Sequence, residues 1–248
     1  MERIFDAHAH LGTEEERRIR KEQGIRTIYC ASDPKEAKLL KTVMAEDGKQ
    51  QAYGSFGLHP WNAGKIRFED MKPYLDHADI IGEIGMDSVW CENSLTIQEE
   101  VFRRQLELAC RENKPVILHT KGQEQRTADI IKEYPGRYLV HWYSDEKGEG
   151  FETFLALGCY FTVGPDGEKC EAVKRVIRDV PLSKLLIETD GWPAVCWALG
   201  EVPMESMSDI LLQSTSLIAM IKHVDVETVK KQLEKNFTEF IKAEYERI

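Results

Sequence analysis

The chain lacks the features that mark several common protein classes. Its six cysteines include no Cys-x-x-Cys pair, which argues against a redox dithiol or a cysteine-rich zinc module. They lie in apolar segments or helices, so we expect small buried thiols in a reducing compartment. No run of about 18 apolar residues occurs, so we expect no membrane span. The first residues contain no apolar signal stretch, and we therefore expect a cytoplasmic protein.

Several familiar catalytic and nucleotide-binding motifs are missing as well. The sequence contains no GxGxxG, no GxxxxGK[ST] and no GxSxG, so neither a dinucleotide fold, a P-loop nor an α/β-hydrolase nucleophile is indicated. No cysteine has the context of a nucleophile. No linker rich in Pro, Gly or Ser divides the 248 residues, and we expect one domain over residues 1–248.

The charge of the chain is unbalanced towards acid. Its 33 basic and 43 acidic residues give a net charge of -10, which does not favour broad binding to duplex nucleic acid. A phosphate-bearing substrate stays open, because a metal cluster can supply positive charge locally. Hydrophobic residues make up 42% and charged residues 31%, as in a globular protein with a large core.

Short apolar runs alternate with longer amphipathic stretches. The runs are rich in β-branched and aromatic residues and predict eight strands: 4–9, 27–31, 52–58, 80–86, 115–119, 138–142, 159–163 and 185–189. Helices are predicted after a cap at Thr13 and over 35–44, 94–113, 124–134, 148–156, 168–178, 207–222 and 226–248. This alternation predicts a (β/α)8 TIM barrel, with a doubly wound open sheet as the rival.

Histidines gather where these predicted strands end. Five of the seven lie at or just beyond the C-terminal end of a strand, namely His8, His10, His59, His119 and His141. In a barrel that end carries the loops that assemble active sites. Scattered structural histidines would show no such preference.

Two of the polar clusters lie within or at the end of apolar strands. His8 and His10 are two apart and can point to one face of a strand, although two unrelated polar residues would give the same pattern. Glu83 lies in an apolar strand flanked by glycines, where a buried carboxylate needs a cation or a salt-bridge partner.

The other strand ends carry similar groups. His119 and His141 each follow an apolar run, and Asp190 follows the apolar run before Gly191. Taken singly, each could be a backbone-bonded core histidine or a turn cap. Six such ligands exceed the needs of one tetrahedral zinc, so we expect two divalent ions. Imidazole with carboxylate favours Zn, Mn, Fe or Co over calcium.

The signature blocks resemble those of the TatD family of metal-dependent hydrolases, which belong to the amidohydrolase-like superfamily. The blocks occur in family order: Asp6-Ala7-His8-Ala9-His10-Leu11, Gly57-Leu58-His59-Pro60, Gly82-Glu83-Ile84-Gly85-Met86-Asp87, Ile117-Leu118-His119-Thr120-Lys121, His141-Trp142-Tyr143-Ser144 and Glu188-Thr189-Asp190. A later Lys235-Asn236-Phe237 is similar to the Asn-containing C-terminal helix of the family.

The resemblance implies a slightly irregular TIM barrel with two metal sites. One ion would be held by His8, His10, Glu83 and Asp190, and the other by Glu83, His119 and His141. Family members are described as deoxyribonucleases that use Mg, Mn or Zn. They cleave phosphodiester bonds, often from a 3′ end. The imidazole-rich shell makes Zn or Mn a better expectation than Mg.

Several positions depart from the family pattern. Gly12 stands where the first block often has Asp, and Asp145 where the fourth His block usually has Gly. The segment after Asp190 lacks the usual Arg, and Lys121 stands where the family usually has Arg. The expected ligands are intact, whereas the loops around the substrate are not standard, so hydrolysis is a safer expectation than nuclease activity.

The expected mechanism is metal-assisted hydrolysis, with Asp190 as ligand and proton acceptor and Glu83 as the bridging or orienting carboxylate. His59 would contact substrate or support a ligand, and Lys121 would contact a phosphate or remain solvated. Trp61, Trp142 and Trp192 would stack on a base or pack the barrel mouth.

Three functions stay open at this level. The first is a deoxyribonuclease acting on DNA, and the second is a two-metal hydrolase of an amide, a lactone or a small phosphoester. The third is a degenerate barrel that binds without catalysis, which the intact ligand set disfavours. No obligate protein partner is indicated, and we expect a monomer or a weak oligomer.

Overall fold

All eight predicted strands are present in the computed structural model, which describes residues 4–47 and 51–242. The strands form one parallel sheet in sequence order. Their bounds are Ile4–His10 (β1), Ile25–Ala31 (β2), Ala52–Phe56 (β3), Ile80–Gly85 (β4), Val116–His119 (β5), Tyr138–Val140 (β6), Tyr160–Val163 (β7) and Leu185–Ile187 (β8). The prediction of eight parallel strands is confirmed.

The first and last strands lie beside each other, so the sheet curls into a nearly closed barrel. The two strands are joined by bonds just beyond β8. The backbone N–H of Asp190 donates to the carbonyl of His8 over 3.0 Å, and the N–H of Thr189 donates to Asp6 Oδ1 over 3.1 Å. Edge strands of a doubly wound open sheet would lie apart, so the slightly irregular barrel is the correct fold.

Helices cover the outside of the barrel and follow the strands. Their bounds are Glu14–Glu22 (α1), Pro34–Asp47 (α2), Phe68–Leu75 (α3), Leu95–Arg111 (α4), Glu124–Ile131 (α5), Phe151–Ala156 (α6), Glu171–Asp179 (α7), Trp192–Leu199 (α8), Met207–Lys222 (α9) and Val226–Ile241 (α10). The Thr13 hydroxyl caps α1 by accepting from the N–H of Glu16 over 3.1 Å, as predicted.

Two of these helices were not predicted. Helix α3 is short and contains Pro73, a residue that normally argues against a helix interior. Helix α8 has the sequence WPAVCWAL, which contains no charged residue and so no amphipathic period. Helix α10 starts at Val226 as predicted, while the predicted stretch 243–248 lies outside the described residues.

The last helix closes one end of the barrel interior. Phe237 and Phe240 of α10 are buried among side chains that lie near the starts of the strands. The Phe237 ring lies 4.8 Å from that of Phe5, and the Phe240 ring lies 5.6 Å from that of Tyr160. This end is therefore filled with apolar groups, and the opposite end is left for polar chemistry.

The cysteines follow the prediction only in part. All six are free, but Cys30 and Cys159 alone are buried and the other four are half-buried. Those four lie on helices or loops that face the surface in part, so the prediction of uniformly buried thiols is wrong for them. Within residues 4–47 and 51–242, no helix is both long and apolar enough to cross a membrane.

Asn236 ties α10 to the barrel, and its loss should destabilise the fold. Its fully buried amide donates to the carbonyls of Leu182 and Leu185 over 2.8 and 2.7 Å. We expect Asn236→Ala to lower the free energy of unfolding by about 1–3 kcal/mol, because two carbonyls lose their donor. The midpoint temperature of thermal unfolding should fall by roughly 2–4 °C for each kcal/mol of unfolding free energy that is lost.

The control is Lys235→Ala on the same helix turn. Lys235 is 64% exposed and its ammonium lies 3.7 Å from the Glu239 carboxylate, so its removal should change stability by less than about 0.5 kcal/mol. Equal midpoint temperatures of thermal unfolding for the two variants would contradict a stabilising role for the Asn236 amide.

Candidate metal centre

Two strands are locally irregular where they carry the predicted ligands. The pairing of β1 with β2 shifts between Asp6 and Ala9, and that of β4 with β5 shifts between Ile81 and Ile84. Such bulges turn side chains away from the regular alternation. His8 and Glu83 lie inside the two shifted segments, and both point into the mouth of the barrel.

Glu83 occupies the middle of the site, and each oxygen of its carboxylate faces a different pair of imidazoles. Its Oε2 lies 3.5 Å from His8 Nε2 and 3.6 Å from His10 Nε2. Its Oε1 lies 2.6 Å from His119 Nδ1 and 2.9 Å from His141 Nε2. One carboxylate therefore faces two separate groups of ligand atoms.

Asp190 completes the group around Oε2. Its Oδ1 lies 3.1 Å from His8 Nε2 and 3.6 Å from His10 Nε2. Asp190 has φ +60, a left-handed conformation that costs a non-glycine residue of order 1–3 kcal/mol and that clusters at functional sites. The structure thus brings all six predicted ligands together.

The orphaned polar atoms of the site fit a bound cation. Among the described residues, both ring nitrogens of His8, Oε2 of Glu83 and Oδ1 of Asp190 are buried without a hydrogen-bond partner. Leaving such atoms unpaired is costly, and a divalent ion would satisfy Glu83 Oε2, Asp190 Oδ1 and the Nε2 of His8, which faces both carboxylates. Three groups have the spacing to hold an ion: His8 with His141 and Asp190, His8 with His10 and Glu83, and His59 with Glu83 and His119.

The electrostatics of the site also favour positive charge beside Glu83. Burial raises the pKa of Glu83, but the imidazoles around it, that of His141 foremost, hold the pKa well below its ordinary value. Burial lowers the pKa of His141, yet Glu83 and then Glu188 raise it well above the ordinary range. Glu83 therefore favours positive charge at His141, and a bound cation would supply that charge in place of the proton.

His59 reaches the same carboxylate in a different role. Its Nε2 lies 3.6 Å from Glu83 Oε2, and its Nδ1 accepts a hydrogen bond from the N–H of Trp61 over 3.2 Å. Burial lowers the pKa of His59 to about 4, so the ring is neutral at pH 7. With Nδ1 accepting, the proton lies on Nε2, and His59 presents a donor to the site rather than a ligand atom.

Two carboxylates behind the ligands were missed by sequence reasoning. Glu188 Oε1 lies 3.2 Å from His141 Nδ1, and Asp87 Oδ2 lies 3.0 Å from His119 Nε2. Carboxylates in this position fix the orientation and tautomer of a metal-ligating histidine. Both residues belong to the signature blocks, and their place at the ends of apolar strands was the available signal.

A buried arginine joins the two strands that meet at the barrel seam. Arg20 of α1 donates to Asp6 Oδ2 over 2.6 Å, to Glu16 Oε1 over 3.2 Å and to Thr189 Oγ1 over 2.7 Å. The Thr189 hydroxyl in turn donates to Asp6 over 2.6 Å. Since Asp6 and Thr189 are close in sequence to the ligands of β1 and of the β8 loop, this network fixes both strand ends.

A cavity of about 900 Å³ opens above the ligands. Lys121 lines it, and its Nζ donates to Ser144 Oγ over 2.7 Å. Trp61 and Trp142 line the cavity, whereas Trp192 packs against the core. Trp90 and Trp197, which sequence reasoning missed, line it too.

Known proteins resemble this chain over most of its length. The model of the family described as TatD related DNase matches residues 5–242. YabD of Bacillus subtilis, named as a metal-dependent hydrolase, is 28% identical over 206 residues, covering 75% of this chain and 79% of that protein. The human 3'-5' RNA nuclease TATDN2 is 26% identical over 192 residues, covering 66% of this chain and 25% of that protein.

The crystal structure of YjjV, a TatD homologue from Escherichia coli, has the same fold. It superposes with a TM-score of 0.78 at 24% sequence identity and covers 96% of this chain and 97% of that one. The family match, the barrel and the clustered His, Asp and Glu side chains agree with one another. The chain belongs to the TatD family of metal-dependent hydrolases.

Proposed function

We propose that the chain, as one catalytic unit over residues 1–248, is a two-metal phosphodiesterase of the TatD deoxyribonuclease type. The observation that carries this proposal is that the two oxygens of the Glu83 carboxylate face two separate sets of ligand side chains. His8, His10 and Asp190 lie on the Oε2 side, and His119 and His141 lie on the Oε1 side. Zn or Mn fits this nitrogen-rich donor set better than Mg.

The protein residues then divide the catalytic tasks. Divalent ions in this site would acidify water and polarise the scissile ester. Asp190 would accept the proton of the attacking water, because its carboxylate lies among the ligands, with Oδ1 3.1 Å from His8 Nε2. Glu83 links the two halves of the site and keeps their spacing fixed.

Two side chains are placed to bind the phosphodiester. His59 donates from Nε2 into the site, as its bond to the Trp61 backbone requires. Lys121 lines the cavity and is held by Ser144. The ammonium group of Lys121 supplies a point charge for a phosphate oxygen, whereas the arginine usual in the family would form two parallel hydrogen bonds to the phosphate.

DNA is the proposed substrate, and one strand end is the proposed site of attack. The family is described as DNases and a relative from Danio rerio is named as a putative deoxyribonuclease, which supports DNA. The human relative is named as a 3'-5' RNA nuclease, which supports attack at a strand end. A cavity of about 900 Å³ lies within the size range of small-molecule pockets, about 300–1,000 Å³. A chain end fits into such a space more readily than a long duplex.

A small phosphoester, lactone or amide is the second candidate substrate. Among the described residues, Lys121 is the one lysine or arginine that lines the cavity, while Glu36, Glu124 and Asp166 add carboxyl groups. This lining attracts a polyanion weakly, which favours a substrate with a single charged group.

We further propose that the protein works in the cytoplasm as a monomer or weak oligomer. All six cysteines are free, which is typical of proteins in a reducing compartment.

A substrate panel separates the two candidates. With Mn²⁺ or Zn²⁺ supplied, we expect single-stranded oligonucleotides to be shortened from one end and to be turned over faster than nitrophenyl phosphate, nitrophenyl acetate or simple lactones, because the proposed substrate is a phosphodiester. Gel analysis of end-labelled strands checks this. Turnover of esters or lactones with intact oligonucleotides would select the second candidate.

Removing the Asp190 carboxylate should abolish catalysis. We expect Asp190→Asn to lower kcat by about 10²–10⁴, since the proton acceptor is lost, and to lower the metal content of the purified protein. Mass spectrometry of the metals and a steady-state assay provide the readouts. The exposed carboxylate variant Asp209→Asn should match the wild type in both, and full activity of Asp190→Asn would refute the role.

Glu188 should act through His141 as a positioning residue. We expect Glu188→Gln to weaken metal affinity or activity about 10–100-fold, the range found for such outer carboxylates, because His141 then faces a neutral amide in place of a charged acceptor. Competitive metal titration with a chelator measures the effect. Glu171→Gln, at a 71% exposed position, is the control, and identical affinities for the two variants would contradict the assignment.

A further inference from the structure

Three tryptophans from three different loops meet at the cavity rim. Trp90 follows β4, Trp142 follows β6, and Trp197 belongs to α8 after β8. The Trp197 ring lies 6.0 Å from that of Trp90 and 6.1 Å from that of Trp142, both at 76°. We call these three residues the tryptophan rim, and they line the same cavity as the candidate metal ligands.

The indole of Trp142 is held in a built position. Its Nε1 donates to Asp166 Oδ1 over 2.8 Å, and its backbone N–H donates to Thr162 Oγ1 over 2.8 Å. A side chain at Gly164 would come within 2.6 Å of the indole ring, so the glycine allows the ring to lie against the backbone. A loosely placed surface aromatic would have no such support.

Trp90 is fixed at its backbone, and its ring adjoins a cation. Its N–H donates to Asp87 Oδ1 over 2.8 Å, the same carboxylate group that contacts His119. The Lys121 ammonium lies 4.9 Å from the centre of the Trp90 ring. The rim is thus linked to both the metal side of the cavity and the proposed phosphate contact.

The other two members of the rim differ from Trp142 in their exposure. Trp197 is 69% exposed and Trp90 is 52% exposed. Tryptophan is usually well buried, and exposed aromatic surface beside a pocket marks a binding site. Helix α8, which carries Trp197, occupies the segment that departs from the usual family pattern after Asp190.

We propose that the tryptophan rim is a stacking subsite for the nucleobase next to the hydrolysed phosphodiester. This inference rests on the proposed function and names the part of the substrate that the rim recognises. A neutral planar base suits a rim with aromatic rings, the carboxyl groups of Glu124 and Asp166, and the ammonium of Lys121. The base stacks on the rings, and its phosphate lies towards Lys121 and the ligands.

The test compares two probes that share a sugar phosphate. Adenosine 5′-monophosphate carries a base and ribose 5-phosphate does not, so the ratio of their dissociation constants isolates the base. By calorimetry on the metal-loaded protein we expect the nucleotide to bind about 5–150-fold more tightly, the range that stacking on an aromatic ring gives.

Trp197→Ala should remove most of this preference while ribose 5-phosphate binds as before, and Trp90→Ala, which removes the ring beside Lys121, should reduce the preference. Both residues are more than half exposed, so the variants should fold. The matched control is Met220→Ala, which removes an apolar side chain, 65% exposed, from α9 and outside the cavity. Its preference should equal that of the wild type.

Two results would overturn the subsite. One is equal affinity of the wild type for the two probes, and the other is an unchanged preference in both tryptophan variants. A change in oligomeric state of Trp197→Ala, seen by light scattering without a change in preference, would identify the rim as a contact with a second copy instead. Continued hydrolysis of oligonucleotides by the wild type in these cases would leave the proposed function standing and the subsite refuted.

Discussion

The burial of one carboxylate governs the rest of this structure. Glu83 is 1% exposed and lies inside an apolar barrel, where an isolated negative charge is expensive. Imidazoles from three other strand ends, together with His59, converge on it, and they depress its pKa by their combined charge. The buried negative charge of Glu83 therefore has to be balanced, either by protons on the imidazoles or by bound cations. Divalent ions would meet that requirement and would also supply hydrolytic chemistry.

The candidate metal centre also depends on a network of residues behind the ligands. Arg20 binds Asp6 and Thr189 and so ties the ends of the first and last strands together. The carbonyl of His8 and the N–H of Asp190 meet across the same seam. Because Asp190 has a left-handed backbone, its position relies on these contacts rather than on a local preference. A buried charged network of this kind is costly unless every member is paired, and here the pairing coincides with the placement of two ligands.

Much of the fold and of the ligand set could be predicted from the sequence. The apolar runs predict the strands, and polar residues follow at their ends. Local pattern and topology together therefore place His119, His141 and Asp190 at the same end of the barrel. The remaining features depend on contacts between distant segments. Helix α8 has no charged residue and therefore no amphipathic period, and the meeting of Trp90 with Trp197 is a consequence of how two loops pack. The donor role of His59 likewise depends on the N–H of Trp61, which only the folded chain reveals.

The site has two regions with different chemistry. Its floor is made of nitrogen and oxygen ligands for cations, and its rim is aromatic with one ammonium group. The floor is common to the signature blocks of the family, while Trp197 of the tryptophan rim belongs to the segment after Asp190 in which this chain departs from the family pattern. The central claim is that Glu83 bridges two cations on this floor. Anomalous diffraction from crystals grown with Mn²⁺ or Zn²⁺ tests it directly. The account predicts two peaks about 3.5–4 Å apart, one beside each oxygen of Glu83, and a single peak, or peaks remote from Glu83, would contradict it.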